Sequence, residues 1–346
     1  MTIGEISDIL VWGAATAYTI AMVAFAIDMA RRAGGAPVEE AAPQPALATA
    51  TSVASTATTP TSITTPGWSA RPDSAVGTSA SANAGRGKGT PWGAWRSSKP
   101  LGIAMSTLWL GFLFNFAGIV TRGVAAGRAP WANMYEFTLV GAFCTVLVFL
   151  VIQQRLEVRF LGIFVTILSV SALVVALNAF HVAAAGVEPA LQSYWLVIHV
   201  GIAILATGVF GVAFATSVLQ LLQDSRANGS GTLASWHWLD SVPRPAQLEV
   251  LSFRINAVGF VMWTFTIIGG SVWAEDAWGR YWGWDPKEVW SFVIWVVYAA
   301  YLHARTTRGW SGRRAAWFVV VGFACVLFNF TGVNILFNGR HSYSQI

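Results

Sequence analysis

Residues 273–290 read WAEDAWGRYWGWDPKEVW, five tryptophans in eighteen positions interleaved with acidic and basic side chains. The runs 255–274 and 287–304 on either side are strongly apolar. Each approaches the roughly 20 residues a helix needs to cross a bilayer core. The tryptophan stretch therefore reads as a short loop joining two membrane spans, and that reading decides the fold class.

The rest of the chain agrees. It has 346 residues, 55% hydrophobic and 11% charged, with a mean hydropathy of +0.56. A soluble domain would carry about a quarter charged residues. Apolar runs at about 9–28, 101–120, 136–153, 159–179, 195–221, 255–274, 287–304 and 315–337 predict an all-α integral membrane protein with about eight transmembrane helices. The first run has no basic residue ahead of it and is followed by Arg31 and Arg32, so it reads as an anchor rather than a cleaved signal peptide. Of 21 lysines and arginines, all but Arg122, Arg128, Arg280, Lys287 and Arg340 fall on the side of residue 31. The positive-inside rule then places both termini and the tryptophan loop outside. Basic residues so arranged belong to a bilayer edge, and the net charge of +5 gives no reason to expect a nucleic-acid partner.

Three regions follow: an N-terminal anchor (1–30), an Ala/Ser/Thr/Pro-rich cytoplasmic linker (31–100) and a seven-helix core (101–346). The linker has too few large apolar residues to bury a core and reads as disordered. Cys144 and Cys325 sit in separate apolar runs without CxxC or Cys/His spacing, which argues against disulfide, zinc or thiol-redox chemistry. No Walker loop or nucleophile elbow occurs, which disfavours ATP-driven transport by this chain alone.

Membrane tryptophans ordinarily form an interfacial belt, which accounts for Trp195, Trp263 or Trp317. Trp273, Trp278, Trp282 and Trp284 are too crowded in one loop for that account alone. They suit a stacking platform for a large flat ligand such as a tetrapyrrole, with Arg280 or Lys287 at the rim for its carboxylates. In Asp285-Pro286-Lys287-Glu288, Asp suits a helix N-cap, Pro the first helical position and Glu the third, so Asp285 is structural before it is functional.

A tetrapyrrole iron takes axial ligands, histidine most often. His199 lies about one turn inside the outer end of its span, and His341 follows the last span on the same side. His303 lies seventeen residues beyond Pro286. At 1.5 Å per residue that is roughly 26 Å along a helix, near the cytoplasmic edge. It is too deep to share an iron with the outer pair. His181 and His237 read as structural or interfacial.

The ordered set resembles the WWD signature of the heme-handling proteins of cytochrome c maturation. Most similar is the ResC/CcsA-type protein (also called CcsB) of the second maturation system. The residues that carry the resemblance are Trp278-Gly279 with Trp282, Trp284 and Asp285, the stretches AQLEVLSFRINAVGF (246–260), GGSVWAEDAWG (269–279), DPKEVWSFVIWVVYAAYLHAR (285–305) and NILFNGRHSY (334–343), and the islands RAPWANMYE (128–136) and WLVIHV (195–200). It implies that His199 and His341 ligate heme b iron at the tryptophan loop and that His303 is an inner ligand, its fellow supplied by a ResB-type partner. Heme would be taken from the cytoplasmic side, relayed, and presented to the CxxCH thiols of apocytochrome c. The chain would then be a subunit of a cytochrome c synthase, or heme lyase, with its functional face outside the plasma membrane rather than in a thylakoid. Arg340 departs from the family, which usually has an apolar residue there. Two other classes remain open at this point: an electron-transfer cytochrome, which requires paired histidines at matching depth, and a small-solute transporter, which requires broken helices and charge near the midplane. The tryptophan motif also occurs in a heme-handling protein of the first maturation system.

Overall fold

The computed structural model describes residues 1–34, 98–186, 192–229, 233–307 and 309–341. The expected linker falls, for residues 35–97, outside the described residues. Eight long helices account for most of the rest: α1 Ile3–Gly34, α2 Lys99–Ala126, α3 Met134–Arg155, α4 Gly162–Ala179, α5 Gly201–Ala227, α6 Pro245–Trp278, α7 Pro286–Thr307 and α8 Arg313–Leu327, with a final turn, α9, at Val333–Leu336. Helix is the expected solution, because a lone segment in lipid must satisfy its own backbone polar groups.

Among the described residues, seven helices are long and apolar enough to cross a membrane. The expected eighth span, α7, has the length, 22 residues. Its tyrosines, tryptophans and terminal charges leave it less apolar than the other seven. It buries Ile294, Tyr298 and Tyr301 at helical spacing and leaves Phe292 and Val296 exposed. The chain is a multi-pass membrane protein.

The helices share one core. α1 packs most extensively on α2, and α5 on α6. Val11, Tyr18 and Phe25 of α1 lie in the same buried cluster as Phe149 of α3 and Phe210 of α5. The first helix is thus part of the helical body. At its C-terminal end Asp28, 2% exposed, accepts Arg32 Nε at 2.7 Å and the Ser98 hydroxyl. Ser98 also caps α2 by accepting the Leu101 N–H at 3.1 Å. The chain therefore leaves α1 and re-enters α2 at one point.

Opposite that end, Tyr135 Oη donates to Asp8 Oδ1 at 2.9 Å, and His181 Nε2 meets Asp8 Oδ2 at 3.0 Å. Glu136, fully buried, ion-pairs with Arg122 at 3.1 Å and Arg128 at 2.6 Å. These contacts gather the starts of α1 and α3 and the ends of α2 and α4 at one end of the bundle. The tryptophan loop, the start of α5 and the end of α9 lie at that same end by alternation of the helices.

Because α1 is held by buried contacts as well as by the chain, a break between residues 35 and 97 should leave it docked. Residues 1–60 and 61–346 expressed as two chains are expected to co-purify in detergent, with a tag on either one. Recovery of the tagged piece alone would show that the covalent connection is what holds α1.

Candidate functional site at the outer end of the bundle

The loop after α6 is built by one carboxylate. α6 ends at Gly279, which takes the left-handed backbone (φ 68°) and donates its N–H to the Glu275 carbonyl. Glu288, in the first turn of α7, then accepts the N–H of Gly283 at 2.7 Å and of Asp285 at 3.1 Å on one oxygen, Oε2. Those two donors flank Trp284. Their convergence holds Trp284 at φ 59°, unusual for a residue with a bulky side chain. Its indole is consequently thrown outward, 77% exposed. Trp282 turns the other way, onto a cavity wall.

Asp285 caps α7 as the sequence suggests, its Oδ1 accepting the Lys287 N–H at 3.0 Å. It does more than cap. Oδ2 accepts the Arg340 N–H at 2.7 Å, and Oδ1 lies 3.0 Å from His341 Nδ1. The approach is close enough that a Cβ on Gly339 would sit 2.5 Å from Oδ2. Burial alone would raise the carboxyl's pKa, but the hydrogen bond and charge of His341 and the two backbone N–H groups outweigh it and bring it down to about 2. The carboxylate is ionised, so His341 Nδ1 must be the donor.

His199 has the same tautomer for an independent reason. Its Nδ1 lies 2.8 Å from the Thr266 carbonyl of α6, an oxygen that can only accept. The ring packs so closely on α6 that a Cβ at Gly270 would come within 2.6 Å of it. In its neutral form each histidine thus carries the proton on Nδ1 and the lone pair on Nε2, the arrangement of a histidine prepared for a metal.

Both line one cavity of about 1180 Å³, its open mouth included. Its walls are mostly apolar and aromatic: Trp131, Phe137, Trp263, Trp273, Trp282 and Phe330. Trp273 lies beside the His199 ring at 5.8 Å, and Trp278 meets the His341 ring edge-on at 4.8 Å. Trp284 touches Trp282 edge-on at 5.8 Å but stays outside the cavity.

The two cations expected at the rim differ. Lys287 lies within the cavity wall and donates through Nζ to the Asn329 carbonyl at 2.6 Å. Arg280 lies over Trp278 at 5.8 Å and reaches Glu288 Oε1 at 3.3 Å. His303 is elsewhere: it is exposed on α7, one turn from the helix end. Nearby, Arg305 pairs with the buried Glu249 of α6 at 2.7 Å.

Two features escape motif reading. Leu196–Val200, which holds His199, and Phe328–Gly332, which holds Asn329 and Phe330, are π-helical turns, and residues of both line the cavity. Trp131 is the other: its indole N–H donates to the Leu196 carbonyl at 3.0 Å, and Glu136 Oε2 holds the adjoining Ala132 N–H at 3.0 Å. A hint lay in the RAPWANMYE island at 128–136, whose Trp131 has no amphipathic reason to be there. Among the described residues, no group of three His, Cys, Asp or Glu side chains could hold a bare metal ion. Two histidines across an aromatic cavity suit a metal that brings most of its own ligands.

Comparison with known proteins accords with this geometry. Residues 131–341 match the model of the cytochrome C assembly protein family. A cytochrome c biogenesis protein CcsA of Mesostigma viride is 33% identical over 265 residues, covering 70% of this chain and 85% of its own. That of Synechococcus sp. (strain CC9902) is 34% identical, covering 73% and 90%. The counterpart in Gloeobacter violaceus (strain ATCC 29082 / PCC 7421) is 32% identical, covering 68% and 84%. A solved structure of the cytochrome c heme lyase CcmF shares the fold, with a TM-score of 0.58 at 14% identity, over 98% of this chain and 48% of that one. This chain thus spans about half the length of that solved relative. With the fold, the WWD loop and these similarities together, the chain belongs to the CcsA family of cytochrome c biogenesis proteins.

Proposed function

We propose that the outer cavity holds heme b as a substrate in transit, with His199 and His341 as the two axial ligands of its iron. One observation carries this reading. Two histidines more than a hundred residues apart line one aromatic cavity, and each has its Nδ1 anchored, to the Thr266 carbonyl and to Asp285. Anchoring fixes ring orientation and raises the basicity of the other nitrogen. Trp273 and Trp282 on the walls offer flat apolar contact to a macrocycle.

The biogenesis reaction follows from presentation. A CxxCH thiol of apocytochrome c adds across each heme vinyl group: sulfur bonds to one vinyl carbon, the thiol proton ends on the other, and no outside oxidant is needed. The protein's contribution is to hold the heme still with its reactive edge accessible. His303, exposed on α7 far from the cavity, suits an earlier station whose second iron ligand comes from a ResB-type partner in the membrane. The pair would then act as a cytochrome c synthase at the extracytoplasmic face of the plasma membrane. An electron-transfer cytochrome would instead need histidines at one depth on facing spans; among the described residues His303 has no such fellow, and His199 and His341 flank the tryptophan loop with His341 beyond the last helix.

His199→Gly and His341→Gly, each purified with the partner, are expected to lose most bound heme and cytochrome c yield, and added imidazole should restore both by filling the vacated axial position. Full heme content in both variants would sink the outer site. For His303→Ala, heme supplied only from the cytoplasmic side should leave the outer cavity empty. A normally filled outer cavity would return His303 to a structural role.

Asp285 supplies a third test. Asp285→Asn keeps an oxygen for the Lys287 N–H but sets an NH2 group against the Arg340 N–H and removes the charge that orients His341, so it should shift the heme spectrum as well as lower the melting temperature. Asp285→Ala also removes the helix cap and should cost about 1–2 kcal/mol of stability. Because the folded-state pKa lies below the usual carboxylate range, the stability Asp285 contributes is complete above about pH 4 and fades only as pH falls toward about 2. A melting temperature that drops between pH 7 and 5 in the wild type but not in Asp285→Asn would contradict this.

A further inference from the structure

Trp278 carries two guanidiniums. Arg280 Cζ lies over its ring at 5.8 Å and Arg340 Cζ at 5.9 Å, so the two charges are no more than about 12 Å apart. Each is fixed by more than the indole. Arg280 reaches Glu288. Arg340 is tethered by its own backbone N–H to Asp285, the carboxylate that also holds His341. Trp278 in turn abuts the His341 ring at 4.8 Å. Two cations are therefore held beside one of the two histidines.

The carboxylates of Glu288 and Asp285 offset part of that charge, but most of their hydrogen-bonding capacity is taken by other donors. Glu288 Oε2 is engaged by the N–H groups of Gly283 and Asp285, leaving Oε1 to Arg280 at a long 3.3 Å. Asp285 is engaged by Lys287 N–H, Arg340 N–H and His341. A guanidinium beside an aromatic ring still offers the N–H groups in its own plane, and a pair of them can take a carboxylate with two hydrogen bonds. Lys287, the other cation at the cavity, has its ammonium on the Asn329 carbonyl within the wall.

We propose that Arg280 and Arg340, held beside Trp278 next to the cavity-lining His341, form a carboxylate clamp that selects tetrapyrroles with free propionates and sets the edge by which they enter. The proposal rests on the outer cavity binding heme, and gives it a direction. The propionates and vinyl groups of heme lie toward opposite edges of the ring. Holding the carboxylate edge at Trp278 turns the vinyl edge away from the clamp, so that one face of the site is for anchoring and the other for attachment. Arg340 thereby becomes a specificity determinant rather than a loop residue.

Heme and its propionate dimethyl ester differ only in the charge of that edge. Each should be titrated into the full chain purified with its partner, for the wild type, R340A and R340K, with affinity and the two-histidine low-spin spectrum both recorded. The wild type is expected to prefer free heme at least tenfold. R340A should lose most of that preference, chiefly by weaker binding of free heme, while the low-spin spectrum of the bound fraction persists. R340K, which keeps the charge without the fork, should fall between. Equal affinity for the two forms in the wild type, or an undiminished preference in R340A, overturns the clamp and leaves the histidine site standing. Failure of the wild type to give the two-histidine spectrum with either form overturns the clamp and the heme site together.

Discussion

The outer site depends on the carboxylate of Asp285. It receives the Lys287 N–H that starts α7, the Arg340 N–H from the far end of the chain, and the Nδ1 of His341. These are a helix cap, a tie between distant segments and an anchor for the His341 ring in one side chain. Each, made to an ionised carboxylate, contributes about 1.5–3 kcal/mol net. Their value is geometric. With α7 begun at Asp285, the tryptophan loop has a fixed exit. With residues 340 and 341 tied there, the chain after α9 closes over the cavity that α5 and α6 form with His199.

A second constraint comes from lipid, where polar groups without partners are costly. The structure meets it by placing charge at helix ends and satisfying it there. Glu136 takes Arg122, Arg128 and the Ala132 N–H at one end. Glu249 takes Arg305 and the Gly312 N–H at the other. Both clusters tie helices adjacent to the candidate histidines. Glu136 braces the turn that carries Trp131, and Arg305 is two residues from His303.

Much of this was legible in the sequence. The helix count follows from run length and hydropathy, and the cap at Asp285 from the order Asp-Pro-Lys-Glu. Side alternation alone brought His199, His341 and the tryptophan loop to one end. α7 shows where hydropathy loses force: a helix that lines a cavity and packs through Tyr298 and Tyr301 need not be uniformly apolar. Trp278, Trp282 and Trp284 shared a motif but not a role. Trp282 lines the cavity, Trp278 supports His341 and two arginines, and Trp284 faces out. That division is set by backbone angles around Glu288, to which a composition argument is blind. Lys287 was placed at the rim by its charge alone, whereas its long stem lets the ammonium reach across to α8's continuation.

The π turns explain why that reach matters. A π turn inserts a residue into the helix, widens it and displaces carbonyls from the regular ladder. Both such turns border the cavity, and each would leave a backbone oxygen poorly satisfied beside an apolar space. In each case a side chain from another element supplies a donor: Trp131 to the Leu196 carbonyl and Lys287 to the Asn329 carbonyl. Trp131 and Lys287 are in this sense equivalent, one on each wall, and both follow from making room in a tightly packed bundle. The same requirement separates the cations by task. Lys287 is taken up by the backbone, whereas Arg280 and Arg340 lie near the Trp278 indole. The cavity's width and the engagement of Lys287 are therefore consequences of one problem, the satisfaction of two π turns.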